Sequence, residues 1–380
     1  MEFFHISDLH IGKQLHFYSL LKEQEQILDE IAEYAQKRKP QAIVIAGDVY
    51  DKSVPSAEAV AVFNRFLKKI SELETAVLMI SGNHDSPERL DFASFLLEKE
   101  NLYIAGNPPL KEGDTIKKVM LKDEYGPVCF WLLPFLRPAY LQEILTEEER
   151  GSYTSAIGAL LQREERNDSI RNVLVSHQFY TAGGQEPLRS DSETVYVGGV
   201  GNVDVSVTEG FDYVAMGHIH KGQSVGEEKF CYCGTPLKYS AGESRDEKYL
   251  LTVTLGKKGE PPVKKRLPLH PVHDVKQLKG SFEELMKMGC TDYVSLTMTD
   301  EILPYHPLER LEQVFPNLLE MKIENTRILQ QSVTLKEAEI TLDPVELFGQ
   351  FYEEIHGSRL DEKQKQILQA ITEKAKEDIR

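Results

Sequence analysis

The sequence predicts an α/β fold: two packed β-sheets with helices outside them, then a small α+β unit and two terminal helices. Three observations predict it. Apolar runs of strand length recur at Phe3–Ile6, Ala42–Ala46, Thr75–Ile80, Asn172–Val175 and Tyr213–Met216. Such runs, partly β-branched and closed by Gly or polar residues, read as buried strands. Segments of helical periodicity separate the first three, the βαβ pattern of a parallel sheet. Each run is followed by Asp, Asn or His, at the carboxyl ends of strands where α/β sheets hold their ligands.

Along the chain, Tyr18 to Arg38 carries Leu20, Leu21, Ile27, Leu28, Ile31, Tyr34 and Ala35 near helical spacing and ends before Pro40, an amphipathic helix. A second helix is predicted over Ser56–Leu73, with Val60, Phe63, Phe66, Leu67 and Ile70 as its buried face. Ser86 as N-cap and Pro87 at the first position start a third, reaching about Lys99. Thr115–Leu121 and Val128–Leu133 flank an Asp-Glu-Tyr-Gly-Pro turn and read as an antiparallel hairpin. A helix-rich stretch with the acidic run Glu147–Glu149 leads to the fourth apolar run. The glycine-rich segment Thr181–Gly201 is long for a simple connection and reads as a functional loop or as disorder. Short strands follow at Lys229–Cys233 and Tyr249–Leu255.

The Lys-, Pro- and Gly-rich stretch Gly256–Pro271 reads as a border. Beyond it, Ser281 caps a helix over Phe282–Met288, Tyr293–Met298 alternates as a strand, Pro307–Leu319 is helical and Glu320–Ile323 extended. Asp343-Pro344 opens a terminal helix closed by Gly357, with Val345, Phe348, Tyr352 and Ile355 as its stripe. A last helix spans Asp361–Ile379. Two such helices suit packing on their own domain or on a partner helix. The expected domains are therefore 1–265, 266–338 and 339–380.

With 380 residues, 41% of them hydrophobic and 28% charged, the chain can bury a sizeable core in two or more domains. No apolar stretch reaches the length of a bilayer span, and the first residues lack the basic n-region of a signal peptide. The expected setting is a reducing cytoplasm, with no membrane. The four cysteines, at 129, 231, 233 and 290, show no metal spacing, and Cys231-x-Cys233 puts two thiols on one face of a strand. A net charge of −17 argues against autonomous tight binding of a polyanion. A locally positive metal site would counter that.

The residues that close the apolar runs are Asp8, His10, Asp48, Asn83, His177, His218 and His220. In Asp8-x-His10 and His218-x-His220 a period of two puts both side chains on one side of an extended backbone. The set is too large for one tetrahedral zinc and contains no thiolate. It suits two divalent ions bridged by one carboxylate, about 3.5–4 Å apart. Oxygen and imidazole donors are compatible with Mn²⁺, Fe or Zn. His84, beside a donor, is read as the general acid for a leaving oxygen, with stabilisation of a non-bridging oxygen as the competing role. Asp85 is read as holding the motif loop or a ligand histidine. Lys13, Arg89 and Lys221 flank the motifs and are left outside the site. No phosphate-binding Gly-x-x-x-x-Gly-Lys-Ser/Thr occurs, so any ATP dependence must come from another subunit.

The order DxH, GDxxD, GNHD, SH, GHxH resembles the calcineurin-like metallophosphoesterases. The strings GNHDSPERLDFAS, DYVAMGHIHKGQ and YCGTPLKYSAGE resemble their SbcD-type branch of DNA double-strand-break repair nucleases. The likeness covers residues 1–255 well and the remainder more loosely. It implies a metallophosphoesterase-type β-sandwich with a capping domain. It also implies one ion held by Asp8, His10, Asp48 and His220, the other by Asp48, Asn83, His177 and His218, and Mn²⁺ as the metal. Asp51 resembles the carboxylate that orients the histidine at 84. The implied activity is 3′→5′ exonuclease and endonuclease on DNA, exercised as a homodimer with an SMC-like ATPase subunit, SbcC in bacteria. The alternatives are a phosphatase or small-molecule phosphodiesterase of the same superfamily, and an inactive scaffold that binds DNA or a partner.

Overall fold

The computed structural model describes residues 1–190, 192, 201–324, 348–349, 352, 360–361, 363–365 and 367–369. The terminal helices expected over 343–357 and 361–379 lie outside the described residues but for isolated positions, as do residues 193–200 of the glycine-rich segment. Among the described residues no helix is long and apolar enough to cross a membrane.

The chain divides into two units, the first comprising 1–277, 290–295 and 312–320. It is built on two six-stranded sheets. In chain order its elements are β1 (Glu2–Ile6), α1 (Leu21–Arg38), β2 (Ala42–Ala46), α2 (Ala57–Ser71), β3 (Ala76–Ile80) and β4 (Leu102–Ala105). Next come β5 (Lys117–Asp123), β6 (Gly126–Leu133), α3 (Tyr153–Gln162), β7 (Arg171–His177) and β8 (Tyr213–Gly217). Last are β9 (Gln223–Val225), β10 (Glu227–Tyr232), β11 (Tyr249–Thr254) and β12 (Val263–Pro268). One sheet has the order β12-β11-β1-β2-β3-β4 and the other β9-β10-β8-β7-β6-β5. The strands β1 to β4 run parallel, as do β6, β7, β8 and β10.

Alternation along the strands makes the sandwich. Phe3, Ala42, Val44, Leu78 and Ile80 of one sheet share a buried cluster with Val128, Phe130, Val173, Tyr213 and Ala215 of the other. Phe3 meets Phe130 edge-on at 5.5 Å between ring centroids. The intervening residues, Ile43, Ile45, Val77 and Met79, face outward and pack with Ile27, Ile31, Phe63 and Phe66 of α1 and α2. Likewise Trp131, Leu174 and Met216 face Ile157 and Leu160 of α3. Strands covered on both faces are the reason the motif-bearing runs read as continuously apolar.

Several expectations shift. Val60 is 44% exposed, because the buried stripe of α2 is Ala59, Val62, Phe63, Phe66 and Ile70. The expected helix after Ser86 does start there, with Ser86 as cap and Pro87 inside it, but it ends at Leu90. Ala93 takes φ 58°, a left-handed geometry that cannot continue a helix. Only short helical segments at Ser94–Leu97 and Glu98–Glu100 follow. The lysine-rich stretch expected to form a border supplies the edge strand β12, antiparallel to β11.

The second unit comprises 278–289, 296–311 and the chain from 321. Its helix Phe282–Lys287 starts at Ser281 in a capping box with Glu284, the reciprocal arrangement that satisfies two orphan amides. The helix Pro307–Glu312 is shorter than expected: turns follow it at residues 313–317 before the chain becomes extended at Leu318.

Candidate metal centre

The carboxyl ends of β1, β2, β3, β7 and β8 bring the motif residues together. Asp8 and His10 follow β1, Asp48 follows β2, Asn83 follows β3, His177 ends β7, and His218 and His220 follow β8. The amide of Asp8 donates to the Gly47 carbonyl and that of His10 to the Asp48 carbonyl, both at 3.0 Å. The convergence is as expected, but the backbone is not. Asp8, His10, Asp48 and His218 take φ 52°, 42°, 50° and 101°. The paired side chains of DxH and GHxH are therefore aimed by left-handed turns past the strand ends rather than by an extended period of two. Non-glycine residues held there are strained, and such strain gathers at functional sites. Gly47, at φ 88°, needs to be glycine for a second reason: a Cβ there would collide with the His177 imidazole.

Around Asp48 the donor atoms gather in two groups, with Asp8 near both. In one, His10 Nε2 lies 3.2 Å from His220 Nε2 and 3.7 Å from Asp48 Oδ2. Donor atoms of Asp8, His10 and His220 all lie within 4.8 Å of one another, as do those of Asp8, Asp48 and His177. In the other, Asn83 Oδ1 lies 3.1 Å from His177 Nε2 and 2.9 Å from His218 Nδ1, while His177 Nε2 lies 3.3 Å from Asp48 Oδ2. His177 Nδ1 donates to the Ala46 carbonyl at 2.7 Å, which leaves Nε2 to face the centre.

Electrostatics make this an unfinished site. Burial pushes the imidazoles of His10 and His218 down to about 3, and that of His220 well below its ordinary value. Neutral imidazoles are the form that binds metal. Burial, reinforced by the Asp48 charge, pushes the Asp8 carboxyl up to about 6. Burial opposes charge on Asp48 too, yet His177 holds its carboxyl well below the usual range. Against the same burial, the Asp48 carboxylate raises the His177 imidazole to about 9. His10 Nδ1 is buried without a hydrogen bond. Oxygen and imidazole donors, desolvated and short of positive charge, fit two divalent ions.

Around the sets, Asp85 accepts from the amides of Val49, Tyr50 and Gly82 at 3.1, 2.9 and 2.9 Å, tying the GDVYD loop to the GNHD loop. His84 donates its amide to Asp48 Oδ1 at 2.8 Å, and its Nδ1 lies 3.0 Å from the Asp51 carbonyl oxygen. Asp51 therefore reaches His84 through its main chain. Its carboxylate instead takes Lys13 Nζ at 2.9 Å and stands 3.7 Å from His10 Nδ1. His84 also lies close enough to His10 and Asp48 to count among possible donors. A cleft of 320 Å³ opens on Asn83, His84 and His218, walled by Phe135, Phe179 and Arg137.

Sequence reasoning passed over several supports. Gln24 of α1 donates to the His10 carbonyl at 2.7 Å and accepts from the Gly12 amide at 2.9 Å. Its signal was a polar residue on an otherwise apolar helix face. Ser7 Oγ donates to Asp8 Oδ2 at 2.5 Å. Tyr239 bonds to the Leu9 carbonyl, and Glu243 is fully buried; both lie in the string YCGTPLKYSAGE, which assigned a role to neither.

A sandwich of two mixed sheets carrying a shared-carboxylate donor cluster at the strand ends is a phosphoesterase arrangement, and the chain belongs to the calcineurin-like phosphoesterase family, whose profile matches residues 1–222. Residues 271–356 match the type 5 capsule protein repressor C-terminal domain. Among curated proteins, the chain is similar to the SbcD subunit of the SbcCD nuclease of Staphylococcus saprophyticus, 28% identical over 98% of this chain and 97% of the relative. Its namesake from Staphylococcus epidermidis is 29% identical over 84% of each. Among solved structures, a dimetal phosphatase from Danio rerio covers 70% of this chain and 96% of its own, at 14% identity and a TM-score of 0.44.

Proposed function

We propose that the protein is a metal-dependent DNA nuclease, a 3′→5′ exonuclease and endonuclease. It acts with an SMC-like ATPase of the SbcC type in DNA end and hairpin processing, repair and recombination, in the cytoplasm. The observation that carries the reading is the pair of donor groups meeting at Asp48, one of which opens through Asn83 and His218 on a cleft. The nuclease subunits it resembles match nearly the whole chain, which favours this reading over a phosphatase. Asp8, His10, Asp48 and His220 hold one ion, and Asp48, Asn83, His177 and His218 the other, with Mn²⁺ as the metal. When bound, two such ions would supply an activated water and charge stabilisation for phosphodiester hydrolysis. His84 donates the proton that the leaving oxygen needs, and Asp51 holds its ring. Residues 1–265 form the nuclease domain, 266–338 the capping domain, and 339–380 the segment that binds the ATPase.

The test is release of nucleotides from 3′-labelled DNA by the Mn²⁺-loaded protein, with co-purification from native extract. A large coiled-coil ATPase in the eluate and nucleotide release support the reading. Turnover of a simple phosphodiester alone, with no such partner, makes the protein a small-molecule phosphodiesterase.

The nuclease also works as a homodimer in this proposal. Phe92, Phe95, Leu96 and Val54 are 80, 71, 52 and 65% exposed, large apolar side chains that a second copy would cover. Phe95→Glu should shift the solution mass from dimer to monomer in light scattering, with little change in thermal stability because so exposed a ring has little packing to lose. A wild-type monomer at working concentration would dispose of the dimer.

A further inference from the structure

We infer that Glu243, with Ser192 and Lys248, positions His220 and so sets the affinity of one ion and not the other. The inference rests on the proposed metal centre. Glu243 lies in the short turn Ala241–Arg245, yet it is 0% exposed. Its Oε1 accepts from Ser192 Oγ at 2.7 Å, Ser240 Oγ at 3.1 Å and the Tyr239 amide at 3.3 Å. Its Oε2 accepts from Lys248 Nζ at 2.7 Å. Burying a carboxylate and a lysine together is costly and rarely a net gain in stability over an apolar pair, so their use here needs another reason.

His220 is that reason. Lys248 Nζ also donates to the His220 carbonyl at 3.2 Å and to Thr235 Oγ1 at 2.7 Å, fixing the main chain at the ligand. Ser192 Oγ stands 2.7 Å from His220 Nδ1. A hydroxyl has one proton, and the Glu243 carboxylate, which can only accept, takes it. The Ser192 oxygen must then accept from Nδ1–H of His220. That fixes the tautomer with its lone pair on Nε2, the atom 3.2 Å from His10 Nε2. Tyr239, whose amide Glu243 holds, packs its ring against His10 and His220 with centroids 5.6 and 6.0 Å away. The other set has a separate orienting device, the Ala46 carbonyl on His177. The two ions should therefore respond differently to loss of Glu243.

The test is calorimetric titration of the full-length chain with Mn²⁺ alone, for wild type, Ser192→Ala and Glu243→Gln, with thermal unfolding of each metal-free protein. Partners of this kind change metal affinity by about 10–100-fold. The expected result is two ions in all three proteins, one of them weakened by that factor in both variants and the other unchanged. Manganese anomalous scattering from variant crystals should place the depleted site between His10 and His220. Ser192→Ala leaves the buried ion pair intact, so it decides the matter alone if Glu243→Gln unfolds. Unchanged affinities in Ser192→Ala, or equal weakening of both ions, overturns the inference. A wild-type chain that binds no second ion instead overturns the centre on which it rests.

Discussion

Asp48→Ala should bind neither ion and lose more than about 10³-fold in DNA hydrolysis, beyond the loss for a single oxyanion donor. The reason is position. Asp48 Oδ2 stands 3.7 Å from His10 Nε2 and 3.3 Å from His177 Nε2, and so belongs to both donor sets. Removing Asp8 or Asn83 deprives one set; removing Asp48 deprives both. Asp48→Asn should fare little better. Its one oxygen is needed by the His84 amide at 2.8 Å, which turns the NH₂ group toward two imidazoles and replaces a bridging anion with a donor. Both variants should still fold. Asp8 also raises the His177 imidazole, so in either variant that ring keeps an acidic neighbour, and the cost should not exceed the ~3–5 kcal/mol typical of breaking a buried pair. Metal per chain after dialysis, measured by plasma mass spectrometry, is the decisive number. Two ions retained by Asp48→Ala would remove the shared carboxylate from the mechanism.

What was legible in the sequence was the set of strand-end residues, because strands buried on both faces are apolar throughout and their first polar residues stand out. The manner of convergence was not. An extended Asp8-x-His10 would put both side chains on one side, and the chain reaches a similar outcome through φ 52° and 42°, angles that no residue pattern announces outside glycine. Contacts made by main chain are equally silent: the aspartate at 51 was visible, while the use of its carbonyl rather than its carboxylate toward His84 follows from the path of the loop. Glu243 shows the same limit from another side. Its burial is created by Ser192, Lys248 and the Tyr239 amide, groups brought together only by the fold. The helix expected beyond Leu90 failed for a local reason that periodicity does not register, the left-handed Ala93.

His84→Gln should keep both ions and lower kcat by about 10²–10⁴-fold, the usual contribution of a positioned acid, with KM nearly unchanged. Glutamine preserves the backbone amide that serves Asp48 Oδ1 and can still offer an N–H to the Asp51 carbonyl, so the loop and the metal sites should stay as they are. A side chain that only stabilised a non-bridging oxygen would also cost ~10²–10³-fold, so the size of the loss does not separate the two roles. The leaving group does. A nitrophenyl ester departs without protonation, and on it the variant should approach wild-type rate while remaining slow on DNA. Equal impairment on both substrates would assign His84 to charge stabilisation, and undiminished activity on DNA would take it out of the chemistry altogether.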